Sequence, residues 1–294
     1  MNPVLLERPQ TLKARLYDYV LLTKFKLASL VVFSAAMGFL TAPGATDWFR
    51  LLMLVIGGFL VTASSNGINQ VIERDLDKLM NRTSGRPLPD NRLNVQEAML
   101  ICVLCGITGI FILTFALNTA SGLLGLFALL SYTLAYTPLK RVTPFSVFVG
   151  AIPGAIPPLL GWVAATGHFG IEAWVLFSIQ FIWQFPHFWA IAWVLDEDYK
   201  RAGFIMLPTG KRDKGSAMQT FVYAISLIPI GFMPYLFGVS GIISAVVIAL
   251  MSIYFTYTAY HLFKNQTIAA AKKLMFASFI YLPVVQLIIA LDKM

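Results

Sequence analysis

The chain has 294 residues, 58% of them hydrophobic and only 12% charged, with a formal net charge of +8 and a mean hydropathy of +0.74. So little charge over that length excludes an ordinary soluble domain. The basic surplus comes without the soluble basic face or groove-reading element that nucleic-acid binding needs.

In chain order, residues 1–26 carry Glu7, Arg8, Lys13, Arg15, Asp18, Lys24 and Lys26. No apolar core directly follows a basic start, so the segment reads as neither a cleavable signal nor an acid-poor transit peptide. Mostly apolar runs of about 18 to 25 residues, the length that crosses roughly 30 Å of hydrocarbon, then follow one another. They predict nine spans near 27–45, 51–72, 98–118, 120–137, 146–164, 173–195, 219–238, 241–261 and 274–291. Unbroken runs exclude the alternating pattern of a membrane barrel. The fold class is therefore all-α and polytopic, a single integral-membrane domain over 1–294.

With the N-terminus in the cytoplasm, every Lys and Arg except Arg50 and Lys293 falls on the cytoplasmic side. That asymmetry is what the positive-inside rule describes, so span count and orientation support each other. The expected location is a bacterial cytoplasmic (inner) membrane. Cys102 and Cys105 lie within the third span as C-x-x-C with no second ligand pair, and read as small buried residues.

The densest polar stretch begins in the last turn of the second span and runs beyond it: Asn69, Glu73 and Asp77, then Arg82 and Arg86. At i, i+4 and i+8 the three acid and amide side chains share one face of a helix. Hard oxygen donors in that array suit Mg²⁺, which takes carboxylates together with substrate phosphate oxygens. The two arginines are partners for phosphate. A second acidic cluster, Asp196, Glu197 and Asp198, ends the sixth span and leads into Tyr199 and Lys200. Asp196 and Asp198 point in different directions on a regular helix, so either the helix unwinds there or only one of them is a ligand. Asp198 is the preferred metal ligand, Asp196 the second and Glu197 the third, with Tyr199 and Lys200 placed for phosphate oxygens. The two clusters form a weak internal echo, which predicts two half-sites facing one cavity.

His187 lies nine residues before Asp196, roughly 13 Å deeper along a helix. An ionisable group at that depth is a functional candidate. Pro186 opens the backbone beside it, and Trp183, Phe185, Phe188, Trp189 and Trp193 are expected to surround it with aromatic surface. Such a pocket suits a flat apolar ring system or a developing carbocation. The fifth span, with Pro153, Pro157, Pro158 and several glycines, reads equally as close helix packing or as a kinked, cavity-lining helix.

Together these residues resemble a known family. Asn69-x-x-x-Glu73-x-x-x-Asp77 with Met80-x-Arg82-Thr83-x-x-Arg86-Pro-Leu-Pro89 is similar to the first aspartate-rich motif of the intramembrane aromatic prenyltransferases. Three further segments resemble the heme O synthase branch of that superfamily, the protoheme IX farnesyltransferases. They are Tyr136-Thr-Pro-Leu-Lys140-Arg-x-Thr-Pro144, Gly150 to Pro158, and Phe185-Pro-His-Phe-Trp-Ala190 leading to Asp198-Tyr199 and Met206-Leu-Pro208. Thr23-Lys24 belongs to the same likeness.

The resemblance implies nine helices around a central cavity capped by two cytoplasmic loops, with farnesyl diphosphate and heme B as substrates and heme O as product. It implies Mg²⁺ as cofactor on Asn69, Glu73, Asp77, Asp198 and Asp196. Lys24, Arg82, Arg86, Lys140, Arg141, Tyr199 and Lys200 would contact the diphosphate, and His187 and Trp189 the heme. It places the protein among membrane lipid, with a terminal oxidase or a heme A synthase as recipient of the product. Gln70 after Asn69, and Val194 four before Asp198, depart from other branches and fit the heme branch. The alternative acceptor is a quinone precursor, which would favour a compact basic pocket over a deep histidine. A secondary transporter would instead place its polar residues at the midplane.

Overall fold

The structure is a computed structural model that describes residues 11–294; Glu7 and Arg8 lie outside the described residues. Helix α1 (Leu12–Thr23) starts at Thr11, whose side chain accepts the Ala14 amide, and ends at Lys24 in the left-handed conformation. There the axis bends by 48° into α2 (Phe25–Thr41). Helix α3 (Trp48–Asp77) follows, then α4 (Val95–Ile112), whose last turn widens into a π turn over Leu113–Leu117. Asn118 is extended, and its side chain accepts the Ser121 amide to start α5 (Thr119–Leu130). A second π turn, Ser131–Tyr136, carries the chain into the short α6 (Thr137–Leu139). Helices α7 (Ser146–Thr166), α8 (Ile171–Val194), α9 (Asp196–Arg201), α10 (Lys214–Gly231), α11 (Met233–Leu236), α12 (Ile242–Asn265) and α13 (Ile268–Leu291) complete the chain.

Among the described residues, eight helical segments are long and apolar enough to cross a membrane, and the bent α1–α2 pair makes a ninth. A helix underlies each of the nine expected segments, and several of these helices outrun their apolar windows. The expected span 51–72 is a helix that continues to Asp77, so the acidic motif rides on a spanning helix instead of a loop. Likewise, 274–291 begins at Ile268, with Lys272 and Lys273 exposed in its first turns. Hydropathy marks where lipid ends, whereas backbone hydrogen bonding lets the helix run on.

Helix α7 sits at the centre, packed on α2, α5 and α8. Its contact with α2 is close enough that a Cβ at Gly161 would lie 1.9 Å from the Ala35 carbonyl oxygen, and one at Gly38 would lie 2.1 Å from that of Pro158. Only glycine permits that approach. Pro158 has no N–H to offer the Gly154 carbonyl one turn earlier, and Gln180 Nε2 from α8 takes that oxygen at 2.6 Å. Around the outside, Leu100, Leu104, Ile107 and Phe111 of α4 stay exposed on one stripe, a face suited to lipid tails.

The basic segments gather at one end of the bundle. Arg92 pairs with Asp18 of α1 at 3.1 Å, Arg15 pairs with Glu97 at 2.7 Å, and the Ile205 amide donates to the Lys140 carbonyl at 2.8 Å. Arg50 and Lys293 bind at the opposite end, Arg50 to the Ala165 carbonyl and Lys293 to the carbonyls of Leu40 and Ala42.

Candidate active site

Because α3 stays helical to Asp77, Asn69, Glu73 and Asp77 stack along one face as their spacing predicts. All three are buried and line a cavity of about 590 Å³. That size lies within the usual range for small-molecule sites. Lys24, at the left-handed break between α1 and α2, places Nζ 3.3 Å from Asn69 Oδ1, while Asn69 Nδ2 donates to Thr137 Oγ1 at 3.1 Å. Lys140 Nζ lies 2.5 Å from Glu73 Oε1 and over the rings of Tyr136 and Phe204. Arg86 Nη1 donates to Asp77 Oδ2 at 2.7 Å. The other Asp77 oxygen, Oδ1, is buried with no hydrogen-bond partner among the described residues.

Four cations (Lys24, Arg82, Arg86 and Lys140) thus face two carboxylates at this end of the cavity. The surplus is positive, so the site attracts an anion carrying more than one charge. An orphaned hard oxygen at Asp77, beside Glu73 and the Asn69 amide, is a donor set suited to a small divalent cation. Among the described residues, no group of three or more His, Cys, Asp or Glu side chains converges as a metal site would. A cation here would therefore need further oxygens from its ligand.

The second acidic cluster departs from expectation. Helix α8 stops at Leu195 (φ −101°, ψ 15°), and α9 turns across the cap. Asp196, buried, faces Lys200 Nζ at 2.8 Å and Arg212 Nε at 3.5 Å. Asp198 accepts the backbone amides of Asn81 and Arg82 at 3.4 and 3.3 Å, and the Arg201 side chain as well. Burial opposes its ionisation, but these donors outweigh burial and hold its carboxyl below the usual carboxylate range. Neither Asp196 nor Asp198 reaches the cavity wall, nor do Glu197, Arg141 or Lys200. The two clusters are therefore not two half-sites facing one cavity: the second fastens the loop that follows the first. Tyr199, directly after Asp198, does line the cavity, with burial raising its phenol.

Deeper along the same cavity stands His187, half-buried, with Trp183 stacked on its ring at 4.3 Å and 18°. Its Nδ1 is 2.7 Å from Ser278 Oγ of α13, and Phe188 and Phe279 meet its ring edges. Phe185, Trp189 and Trp193 do not share this pocket. On a helix, residues two before and two after His187 point to the opposite side. Phe185 and Trp189 accordingly pack on Tyr223 of α10, and Trp193 is buried in the core off the cavity. Trp189 as a heme contact is corrected on this ground.

Sequence reasoning passed over Gln184 and Gln180, which line the cavity one and two turns below His187, and Gln286 of α13, which donates to Gln180 Oε1 at 2.7 Å. Their signal was visible, since polar groups recurring at i, i+4 and i+7 inside an apolar span mark a cavity face. Tyr132, Tyr136 and Lys140, also at helical spacing, form another wall. The remaining surface is apolar, made by Val32, Gly58, Val61, Leu113, Ile156 and Leu160 among others. The cavity therefore joins an ionic end, an apolar slot and an aromatic wall bearing an imidazole.

Comparison with known proteins follows the same lines. Residues 30–282 match the UbiA prenyltransferase family. The chain is 50% identical over 277 residues to a protoheme IX farnesyltransferase of Cytophaga hutchinsonii, covering 94% of this chain and 97% of that one. Among solved structures, a digeranylgeranylglyceryl phosphate synthase superposes with a TM-score of 0.80 at 21% identity, covering 95% of this chain and 98% of its own. A UbiA homolog from Archaeoglobus fulgidus bound to GPP and Mg²⁺ gives 0.68 at 17% identity, covering 93% and 99%. A family match across most of the chain, a relative half identical over nearly its whole length and a shared helical fold agree: the protein belongs to the UbiA prenyltransferase family.

Proposed function

We propose that the protein transfers the farnesyl group of farnesyl diphosphate to a vinyl group of heme B, giving heme O. The observation that carries this reading is one cavity with a cationic and acidic end at Asn69, Glu73 and Asp77 and an aromatic wall bearing His187. The similarity to a protoheme IX farnesyltransferase supports the choice of acceptor.

Asn69, Glu73 and Asp77 Oδ1 are the residues that would hold Mg²⁺, which would supply charge neutralisation for the leaving diphosphate. Lys140 and Arg86, each resting on one carboxylate, are placed to turn onto diphosphate oxygens, joined by Lys24, Arg82 and the Tyr199 hydroxyl. Donors already aimed at where charge develops stabilise the departing group. The allylic C–O bond breaks, and its electron pair leaves with the diphosphate. The vinyl π electrons form the new C–C bond to the farnesyl carbon. Water then adds to the resulting cation beside the porphyrin ring and loses a proton, which completes the hydroxyethylfarnesyl side chain. The apolar slot holds the isoprenoid tail, and the aromatic faces of Trp183 and Phe188 border the reacting centre. Asp198 holds the two cap loops together from outside the cavity.

The whole chain acts as one multi-pass unit in a bacterial cytoplasmic membrane, with its basic cap facing the cytoplasm and its product passing to an oxidase or a heme A synthase. The test is purified protein given heme B, farnesyl diphosphate and Mg²⁺. The expected product is heavier than heme B by one farnesyl group plus one hydroxyl, by chromatography and mass spectrometry. Prenylation of a hydroxybenzoate in place of heme would overturn the acceptor, and turnover unaffected by chelation of divalent cations would overturn the metal.

A further inference from the structure

Ser278 of α13 makes two short contacts through a single oxygen. Its Oγ lies 2.6 Å from the Met275 carbonyl oxygen and 2.7 Å from His187 Nδ1. A hydroxyl has one proton and a carbonyl has none. The 2.6 Å approach of two oxygens therefore requires the serine proton to point at Met275, the common back-bond of a helical serine. That leaves Ser278 Oγ only as an acceptor toward His187, so Nδ1 must carry the imidazole proton. In the neutral ring the other nitrogen, Nε2, then holds an unprotonated lone pair. Nε2 has no protein hydrogen-bond partner among the described residues, and the ring it belongs to lines the cavity.

The ring is fixed in orientation as well as in tautomer. Trp183 lies flat on its face, and its indole N–H is anchored to the Ser278 backbone carbonyl at 3.2 Å. One residue thus positions both the imidazole and the indole that clamps it. Ser278 is fully buried, so water does not compete for either contact.

We propose that Ser278 is a positioning residue that locks His187 as the Nδ1–H tautomer and presents the Nε2 lone pair to the cavity as a ligand for the iron of a porphyrin acceptor. Metal-binding histidines commonly donate their second N–H to a fixed acceptor, which sets ring orientation and raises basicity. The iron part rests on heme being the acceptor, whereas the tautomer part does not.

The experiment separates the two. The chain has three histidines, so ¹⁵N-histidine labelling of the full protein in detergent yields three ring spectra, with His187 assigned by its loss in His187→Gln. The wild type is expected to show the Nδ1–H tautomer at His187, and Ser278→Ala to shift it toward the Nε2–H form. An Nε2–H ring in the wild type, or an unchanged Nδ1–H ring in Ser278→Ala, overturns the positioning role.

Heme B titration followed by absorbance is the second arm. Wild type should show a histidine-ligated spectrum. In Ser278→Ala, heme affinity should fall about tenfold, the low end for losing the partner of a metal-bound histidine. Farnesyl diphosphate binding should be retained, which reports an intact fold. An affinity within twofold of wild type, with the same spectrum, overturns the positioning role. Heme bound without a histidine-ligated spectrum overturns the iron assignment. No heme binding by a wild type that shows Nδ1–H overturns the acceptor reading and leaves the tautomer assignment standing.

Discussion

Asp198→Ala distinguishes a loop fastener from a metal ligand. In the structure, the Asp198 carboxylate accepts the amides of Asn81 and Arg82 at 3.4 and 3.3 Å, and Arg82 itself reaches into the cavity. Hydrogen bonds to charged groups contribute about 1.5–3 kcal/mol when well formed, and these are long, so roughly 1 kcal/mol each is reasonable. Asn81 and Arg82 are exposed, so water satisfies both amides once the carboxylate is gone and no further burial penalty arises. The loss is then about 2 kcal/mol, or roughly 30-fold in the balance between a fastened and a loose cap. The assay is initial rate against farnesyl diphosphate and, separately, against Mg²⁺. Expected is a rise of about tenfold or more in the diphosphate KM, with the Mg²⁺ midpoint within twofold of wild type. A Mg²⁺ midpoint moved more than tenfold, with amide protection of the 78–94 loop unchanged, would show that Asp198 binds metal and that the fastener reasoning is wrong.

Other perturbations read other parts of the cavity. Asp77→Asn removes the orphaned carboxylate oxygen and leaves Arg86 without its counter-charge, so turnover should fall at least about 100-fold. Heme titration of the same variant should be unaffected, and near-normal turnover would remove Asp77 from the site. Gly58 lines the apolar slot, and a Cβ there would meet nothing closer than 3.8 Å. Gly58→Leu should thus fold normally yet shorten the slot, lowering farnesyl use at least tenfold relative to geranyl diphosphate in a competition assay. A farnesyl-to-geranyl ratio equal to wild type would place the tail elsewhere. The pH response of the cap follows from Asp198, whose carboxyl is held below its ordinary range. A depressed carboxyl stabilises above its unfolded pKa and loses that contribution as pH falls through the folded value. Protection factors of the Asn81 and Arg82 amides should accordingly be flat near neutrality and drop in acid, with no such drop in Asp198→Ala.

The amino-acid sequence by itself determined the spans, the end at which the basic residues gather and the shared face of Asn69, Glu73 and Asp77. Apolar run length, charge asymmetry and helical period are local or one-dimensional quantities that survive without knowing what packs where. It also put His187 deep in a span. Direction was the harder matter. Asp198 and Trp189 looked like site residues from their neighbours in the chain. A break at Leu195 turned Asp198 onto the loop, and a two-residue offset from His187 turned Trp189 onto α10. Only the tertiary structure decided the pairings made across the bundle: Lys140 on Glu73, Arg86 on Asp77, Ser278 on His187 and Gln286 on Gln180. Ser278 lies 91 residues from His187, and no spacing rule connects them. Their contact exists because α13 packs against α8, and that packing, through one shared proton, sets which nitrogen faces the cavity.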